Sequence, residues 1–139
     1  MCMIKIITGQ AGEGKTKWLI DVANEKIRSL KGHAIYIDSS THHRYALAHQ
    51  IRLIETVNFP LQSRASFTAF LCGILSANHD IEVVFIDELF KLTQCHLSEL
   101  SDCLDDIRKL SDHYDIDFFI STSCSKNDLL QHIPSYLIA

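Results

Sequence analysis

A glycine-rich octapeptide near the start of the chain lies between an apolar segment and an amphipathic one. Residues 9–16 read GQAGEGKT and fit the pattern G-x-x-x-x-G-K-[ST]. The apolar run Met3–Thr8 before it is typical of a buried strand, and apolar residues within Trp18–Ile27 recur at helical spacing behind it. A strand, a glycine turn and a helix in this order make backbone amides converge on an anion. The sequence therefore predicts a phosphate-binding loop inside an α/β fold.

Each part of this loop has a predicted chemical role. The backbone amides from about Gly12 to Thr16 point to the phosphates, assisted by the positive end of the helix dipole. Lys15 supplies a positive charge to the β- and γ-phosphates, and the Thr16 hydroxyl is suited to ligate Mg²⁺. The residues predicted to contact a nucleotide are Gly9, Gln10, Ala11, Gly12, Glu13, Gly14, Lys15, Thr16 and Lys17.

Length and composition predict a single domain over residues 1–139. The net charge is −4 and no cluster of Lys and Arg occurs, which argues against nucleic acid as a partner. No run of about 18 apolar residues is present, so we expect no membrane insertion. The N-terminal apolar run leads directly into the glycine loop, so we expect no cleaved signal peptide.

The cysteines indicate a reducing environment. Their number, 5, is odd and no C-x-x-C pair occurs, so neither a disulfide framework nor a zinc ribbon is predicted. Cys72 and Cys103 lie in apolar helical patterns and are predicted to be buried. A cytoplasmic location is the expectation that follows.

Strand and helix signals alternate along the chain, which predicts a three-layer α/β fold with a mainly parallel sheet of about five strands. The third predicted strand is the most polar and is assigned to a sheet edge. The predicted strands are Met3–Thr8, His33–Asp38, Ile51–Thr56, Glu82–Asp87 and Ile116–Ser121. Besides the helix after the loop, the predicted helices cover about Ser63–Ala77, Leu97–Tyr114 and Lys126–His132.

The fourth predicted strand ends in two acidic residues, Asp87 and Glu88. An aspartate at the carboxyl end of a central parallel strand lies across from the glycine loop, so Asp87 is predicted to complete a Mg²⁺ site with Thr16. Glu88 is suited to act as a general base, on water in a hydrolase or on a substrate hydroxyl in a kinase. The alternative is that Glu88 is an exposed cap of the following loop.

Two further segments have more than one interpretation. Residues 121–123, which read STS, could contact a γ-phosphate or could only favour the turn after the fifth strand. The segment Ser125–Asp128 is similar to the guanine-reading motif of GTPases, but its first position does not fit. A capping box with Ser125 as the N-cap is favoured instead, which leaves adenine as the default base.

Hydrolysis of a bound triphosphate also requires a positive charge near its γ-phosphate. Arg44, Arg52 and Arg64 are the candidates within the chain. A neighbouring subunit or a protein partner could supply the charge instead, so a homo-oligomer or a partner complex is kept open.

With both motifs placed, the chain resembles the P-loop NTPases of the additional-strand, glutamate-bearing division. Over most of its length it also resembles a group of small bacterial P-loop proteins, sometimes called twitching-motility ATPases. Both resemblances imply nucleotide binding through Gly12, Gly14, Lys15, Thr16 and Asp87. The segments that carry the second resemblance, besides the loop, are Tyr45, Ile51–Leu53, Phe70–Leu75 and Phe85–Asp87.

A fainter similarity is to thymidine-kinase-type enzymes, through Ile86–Phe90 behind a phosphate loop. Those enzymes have a zinc-binding lasso held by cysteines, and this chain has no such cysteine arrangement. The similarity implies a nucleoside-type kinase as the second interpretation, with Asp38 and the residues 39–41 as the wall of the acceptor site.

The predicted function is that of an ATP-binding protein with slow, Mg²⁺-dependent ATP hydrolysis. Lys15 and Glu88 are the predicted catalytic residues, and Thr16 and Asp87 the predicted metal ligands. A small-molecule kinase and a non-catalytic nucleotide-binding module are the alternatives.

Overall fold

The computed structural model describes residues 2–9, 14–59 and 61–133, and strands and helices alternate through them. Two short 3₁₀ turns, Thr56–Asn58 and Leu97–Glu99, join the larger elements. The strands are β1 (Ile4–Thr8), β2 (His33–Asp38), β3 (Ile51–Glu55), β4 (Ile81–Ile86) and β5 (Asp117–Thr122). The helices are α1 (Lys15–Lys26), α2 (Arg64–Ala77), α3 (Leu89–Thr93), α4 (Leu100–Tyr114) and α5 (Lys126–Leu130).

The five strands form one sheet in the order β1-β5-β4-β2-β3, and every neighbouring pair is parallel. All strands therefore end at the same edge of the sheet, where the chain leaves β1 for the glycine loop and β4 for Asp87. β5 separates these two strands. β3 lies at the sheet edge, as its polar alternation predicted.

Helices cover both faces of the sheet because strand side chains alternate between the faces. On one face, α1 residues such as Leu19 and Ala23 pack on Ala34 and Phe85. On the other face, α2, α3 and α4 contribute to a larger cluster that includes Ile35. Strands with apolar residues on both faces are those expected in a covered parallel sheet. The predicted α/β fold class is confirmed.

Most predicted elements are present, with shifts of a few residues at their ends. The helix predicted over Leu97–Tyr114 begins at Leu100, after a 3₁₀ turn, and the helix predicted over Lys126–His132 ends at Leu130. The Ser125 cap is confirmed, because its hydroxyl accepts a hydrogen bond from the Asp128 amide at 3.1 Å. No sequence signal predicted α3.

The burial prediction was right for one cysteine and wrong for the other. Cys103 is buried against the sheet, and burial raises the pKa of its thiol to about 12. Cys72 is exposed. The buried residues of α2 are Phe67, Leu71 and Leu75. Their spacing of four defines the inward face of α2, and Cys72 is one residue, about 100°, away from it.

In the described part of the chain, no helix combines the length and the apolar character that crossing a membrane would require.

Candidate functional site

A row of polar side chains crosses the carboxyl edge of the sheet on the face that α1 covers. Strand pairing places Glu55 of β3 opposite Asp38 of β2. Ile37 pairs with Ile86, so Asp87, the next residue of that chain, lies beside Asp38. Ile86 also pairs with Ile120, which brings Ser121 beside Asp87. Side chains alternate between the two faces along each strand, so Tyr36 and Phe85, buried under α1, lie on the same face as Asp38 and Asp87 two residues later.

Asp87 is the best-connected member of the row. Its Oδ1 accepts hydrogen bonds from the hydroxyls of Thr16 and Ser121, each at 3.2 Å. Its Oδ2 accepts a hydrogen bond from the Tyr36 hydroxyl at 2.8 Å. The side chain is buried, and burial raises the pKa of the Asp87 carboxyl, with the charge of Asp38 adding to the rise. The three hydroxyl donors act in the opposite direction on the pKa.

Lys15 is the first residue of α1. Only 6% of it is exposed. Its Nζ donates to the Gly9 carbonyl at 2.8 Å and to the Ser123 hydroxyl at 2.9 Å, and it lies 2.9 Å from Glu88 Oε1. All three partners are oxygens that surround one ammonium group, so its charge is held at the end of β1, β4 and β5.

Glu88 adopts an unusual backbone conformation. Its φ of 66° and ψ of 73° lie in the left-handed region, which is sparsely populated by residues other than glycine. The Ser121 hydroxyl accepts a hydrogen bond from the Glu88 amide at 2.9 Å, and the Ser123 hydroxyl lies 2.6 Å from both carboxylate oxygens. This turn aims the carboxylate at Lys15. Glu88 is therefore part of the site and also the N-cap of α3.

Part of the glycine loop lies outside the described residues. Gln10, Ala11, Gly12 and Glu13 belong to this part, so the predicted contacts of these four positions are not described. Gly14 has a φ of 82°, in the left-handed region that favours glycine. α1 begins directly after it without a hydrogen bond from a capping side chain, which leaves amide donors at the helix start.

The remaining predicted residues lie farther from this chemistry. The Lys17 side chain is exposed and forms an ion pair with Asp21 at 2.9 Å on the surface of α1. Arg44 pairs with Glu55 at 2.6 Å, and Arg64 lies 3.4 Å from Asp106. Among the described contacts, none joins the three candidate arginines to Lys15, Asp87 or Glu88. Arg52 is exposed on β3.

The structure also adds a pair that the sequence did not single out. His43, in the loop after β2, places its Nδ1 2.7 Å from Asp38 Oδ2. The other oxygen of Asp38 accepts from the Ser40 amide at 3.0 Å. Asp38 is 3% exposed, and one ligand atom each of Asp38, His43 and Asp87 lie within 4.8 Å of one another. The two residues are only five positions apart in the chain, so their closeness in the sequence is the signal that could have indicated this pair.

No known protein-family model matches the chain, and no curated protein matches it at a significant level. The function is therefore inferred from the residues of the site. Among the predicted residues that are described, Lys15, Thr16, Asp87 and Glu88 come together at one edge of the sheet.

Proposed function

We propose that this protein binds ATP with Mg²⁺ at the carboxyl edge of the sheet and hydrolyses it slowly. One observation carries the proposal. The Thr16 hydroxyl, at the start of α1, donates to the Asp87 carboxylate at 3.2 Å although the two residues are 71 positions apart. The glycine-loop motif and the acidic end of β4 thus belong to one site, as a phosphate site with a divalent ion requires.

Phosphate binding is supported by the local charge at the start of α1. The helix has 12 residues, and its first amides lack a side-chain cap. Such a helix start attracts an anion through its free amides and its dipole. Lys15 adds a full positive charge at the same point. A phosphate that binds here would replace Glu88 as the anionic partner of Lys15.

The chemistry of the donors fits Mg²⁺. Thr16 and Asp87 offer a hydroxyl and a carboxylate oxygen, the hard ligands that Mg²⁺ prefers, and water and phosphate oxygens would complete its shell. A cation beside Asp87 would also offset the cost of burying its charge. When bound, the ion would neutralise charge on the β- and γ-phosphates. Tyr36 and Ser121 would hold the carboxylate in place for it.

Glu88 is the proposed general base. Its carboxylate is bound by Lys15 and Ser123 within 2.9 Å, beside the ammonium group that a γ-phosphate would contact. If phosphate takes over Lys15, the Glu88 carboxylate becomes able to accept a proton from an attacking water. Slow turnover is proposed because Arg44 and Arg64 are engaged in other ion pairs.

A small-molecule kinase is the second candidate, and a specific observation favours it. Asp38, His43 and the Ser40 hydroxyl form a polar group beside Asp87, at the end of β2. An acceptor hydroxyl bound there would lie near the proposed phosphate site. In that case Glu88 or His43 would take the proton of the acceptor in place of a water proton.

Phosphate release is the measurement that tests the proposal. We expect release from ATP, with GTP compared in parallel, that requires Mg²⁺ and is lost on Lys15→Ala. Glu88→Gln should keep nucleotide binding and lower turnover by about 100-fold or more. Lys109→Ala, which removes an exposed lysine of α4, is the matched control.

Each other outcome supports a different conclusion. Release that survives Lys15→Ala would contradict hydrolysis at this site. Nucleotide binding without any turnover, with the binding unchanged in Glu88→Gln, would indicate a non-catalytic nucleotide-binding module. Turnover that appears only after small hydroxyl compounds are added would indicate the kinase.

A further inference from the structure

The ends of β2 and β4 place three potential metal ligands of two chemical types close together. These are the carboxylates of Asp38 and Asp87 and the imidazole of His43, whose ligand atoms lie within 4.8 Å of one another. Both carboxylates are almost fully buried, at 3% and 2% exposure. His43 is partly exposed, so an ion and its water ligands could enter from that side.

The charges of this group are not balanced by a nearby basic side chain. In the described residues, Asp38 has no ion-pair partner except His43, and Asp87 has none. Lys15 pairs with Glu88 and Arg44 pairs with Glu55, so these two cations are engaged elsewhere. Two adjacent carboxylates in a buried place repel each other and lose hydration. A divalent cation between them would remove both costs.

Neighbouring groups hold these ligands in place by hydrogen bonds, as the hydrogen-bond partners of metal ligands usually do. The amide and hydroxyl of Ser40 lie 3.0 and 3.2 Å from one oxygen of Asp38, and so fix that carboxylate. Tyr36 donates to Asp87 at 2.8 Å. The opposite oxygen of Asp38 and Nδ1 of His43 are 2.7 Å apart, within hydrogen-bond distance. A metal ion bound by both atoms would replace that hydrogen bond.

A further observation comes from Glu55, the next member of the row, whose side chain is 17% exposed and whose Oε1 pairs with Arg44. Its Oε2 is buried and has no hydrogen-bond partner in the described part of the chain. Glu55 pairs with Asp38 in the strand register, so its side chain leaves the sheet on the same face. A buried carboxylate oxygen without a donor is costly unless a cation or water satisfies it. A hydrated ion beside Asp38 could supply that partner.

We propose that Asp38, His43 and Asp87 form a second divalent-metal site, selective for an ion such as Mn²⁺ over Mg²⁺. An imidazole ligand favours transition metals, whereas Mg²⁺ prefers oxygen ligands alone. The site goes beyond the proposed nucleotide site and shares only Asp87 with it. Because all three ligands come from the protein, the ion binds without nucleotide.

Titration of the full chain with Mn²⁺ alone tests the proposal. We expect one saturable Mn²⁺ site per chain by electron paramagnetic resonance, with affinity at least about tenfold higher than for Mg²⁺ in competition. His43→Ala should weaken Mn²⁺ binding at least about tenfold. His42→Ala, which removes the adjacent exposed histidine, is the matched control and should leave it unchanged. Asp38→Asn is the second variant and should weaken it similarly.

A spectroscopic readout keeps the test decisive if a variant fails to fold. Bound Mn²⁺ in the wild type should show a nitrogen coupling from imidazole in electron spin-echo experiments. Absence of saturable binding, absence of this coupling, or equal affinity in His43→Ala would overturn the proposal. Lys15→Ala separates the two proposals, because it should abolish nucleotide binding and leave Mn²⁺ binding intact.

Discussion

At the scale of single residues, Lys15 and Glu88 form the contact on which the proposed chemistry depends. The ion pair of 2.9 Å is largely shielded from solvent, since the two side chains are 6% and 14% exposed. A phosphate needs the same ammonium group, so it must compete with Glu88. Nucleotide binding and release of the general base would therefore be one coupled event.

This competition predicts opposite effects of Glu88→Gln on binding and on turnover. The substitution removes the anion that competes for Lys15, so nucleotide affinity should rise about fivefold, the factor that corresponds to ~1 kcal/mol. Turnover should fall because glutamine cannot accept the proton. Isothermal titration calorimetry with a non-hydrolysable analogue, followed by a turnover assay, gives both values. A loss of affinity would mean that Glu88 does not compete with phosphate.

Asp87 predicts a stability effect that depends on pH. Burial raises the pKa of its carboxyl above the ordinary value of an aspartate, so the folded state holds the proton more tightly than the unfolded chain does. The folded protein therefore loses stability as pH rises from the ordinary carboxyl pKa to the raised pKa of Asp87. Above the raised pKa the loss is complete and stays constant. Asp87→Asn removes this loss.

The expected result is a higher melting temperature for Asp87→Asn than for the wild type at pH 7, with the difference vanishing below about pH 4. Mg²⁺-dependent turnover should fall about 100-fold or more in the same variant, because the metal ligand is lost. Thermal unfolding in the presence of a chelator, across this pH range, is the measurement. Asp105→Asn on the exposed face of α4 is the control. A lower melting temperature at neutral pH would assign Asp87 a structural role.

At the scale of elements, local patterns predicted the strands and the long helices well. β2 has the predicted bounds, and α2 begins one residue after its predicted start, at the Ser63 cap. α3 was missed because it has only five residues, too few for a helical period to appear. It begins after the left-handed backbone of Glu88, a conformation that no local pattern indicates. Cys72 was wrongly predicted to be buried for a related reason. The apolar pattern of this segment did not determine which face of α2 is buried.

Two glycines in different elements should respond to alanine in opposite ways. Gly73 lies within α2 on its exposed side, and a Cβ there would meet no atom within 4 Å. Gly73→Ala should therefore stabilise the fold by about 0.5–1 kcal/mol through helix propensity. Gly32 precedes β2, and a Cβ there would overlap the Asp80 carbonyl oxygen and lie 2.9 Å from Glu82 Oε2. Gly32→Ala should destabilise the fold.

Urea unfolding of the two variants measures this difference. For Gly32→Ala we expect a loss of about 1–3 kcal/mol, typical of a forced backbone shift. Equal stability of both variants would contradict the packing between the start of β2 and the turn before β4.

At the scale of the whole molecule, the sequence indicates the fold class but not the strand order. Lys15, Thr16, Asp87 and Glu88 were predictable because each belongs to a short motif at a strand end. The row that joins Glu55, Asp38, Asp87 and Ser121 depends on which strands are neighbours. That information is non-local, so a single sequence does not contain it in readable form. Five parallel strands bring the chemistry to one edge whatever their order.

Because the proposed site joins the ends of several strands, its ligand should stabilise the whole domain. A nucleotide with Mg²⁺ at 100 times its dissociation constant adds about 2.7 kcal/mol to the free energy of unfolding. For a chain of this size, that corresponds to a rise of roughly 8–10 °C in melting temperature. The rise should disappear in Lys15→Ala and shrink in Asp87→Asn, whereas Lys109→Ala should retain it. An equal rise in Lys15→Ala would mean that the nucleotide binds elsewhere, since Lys15 is the buried cation where α1 begins and where β1, β4 and β5 end.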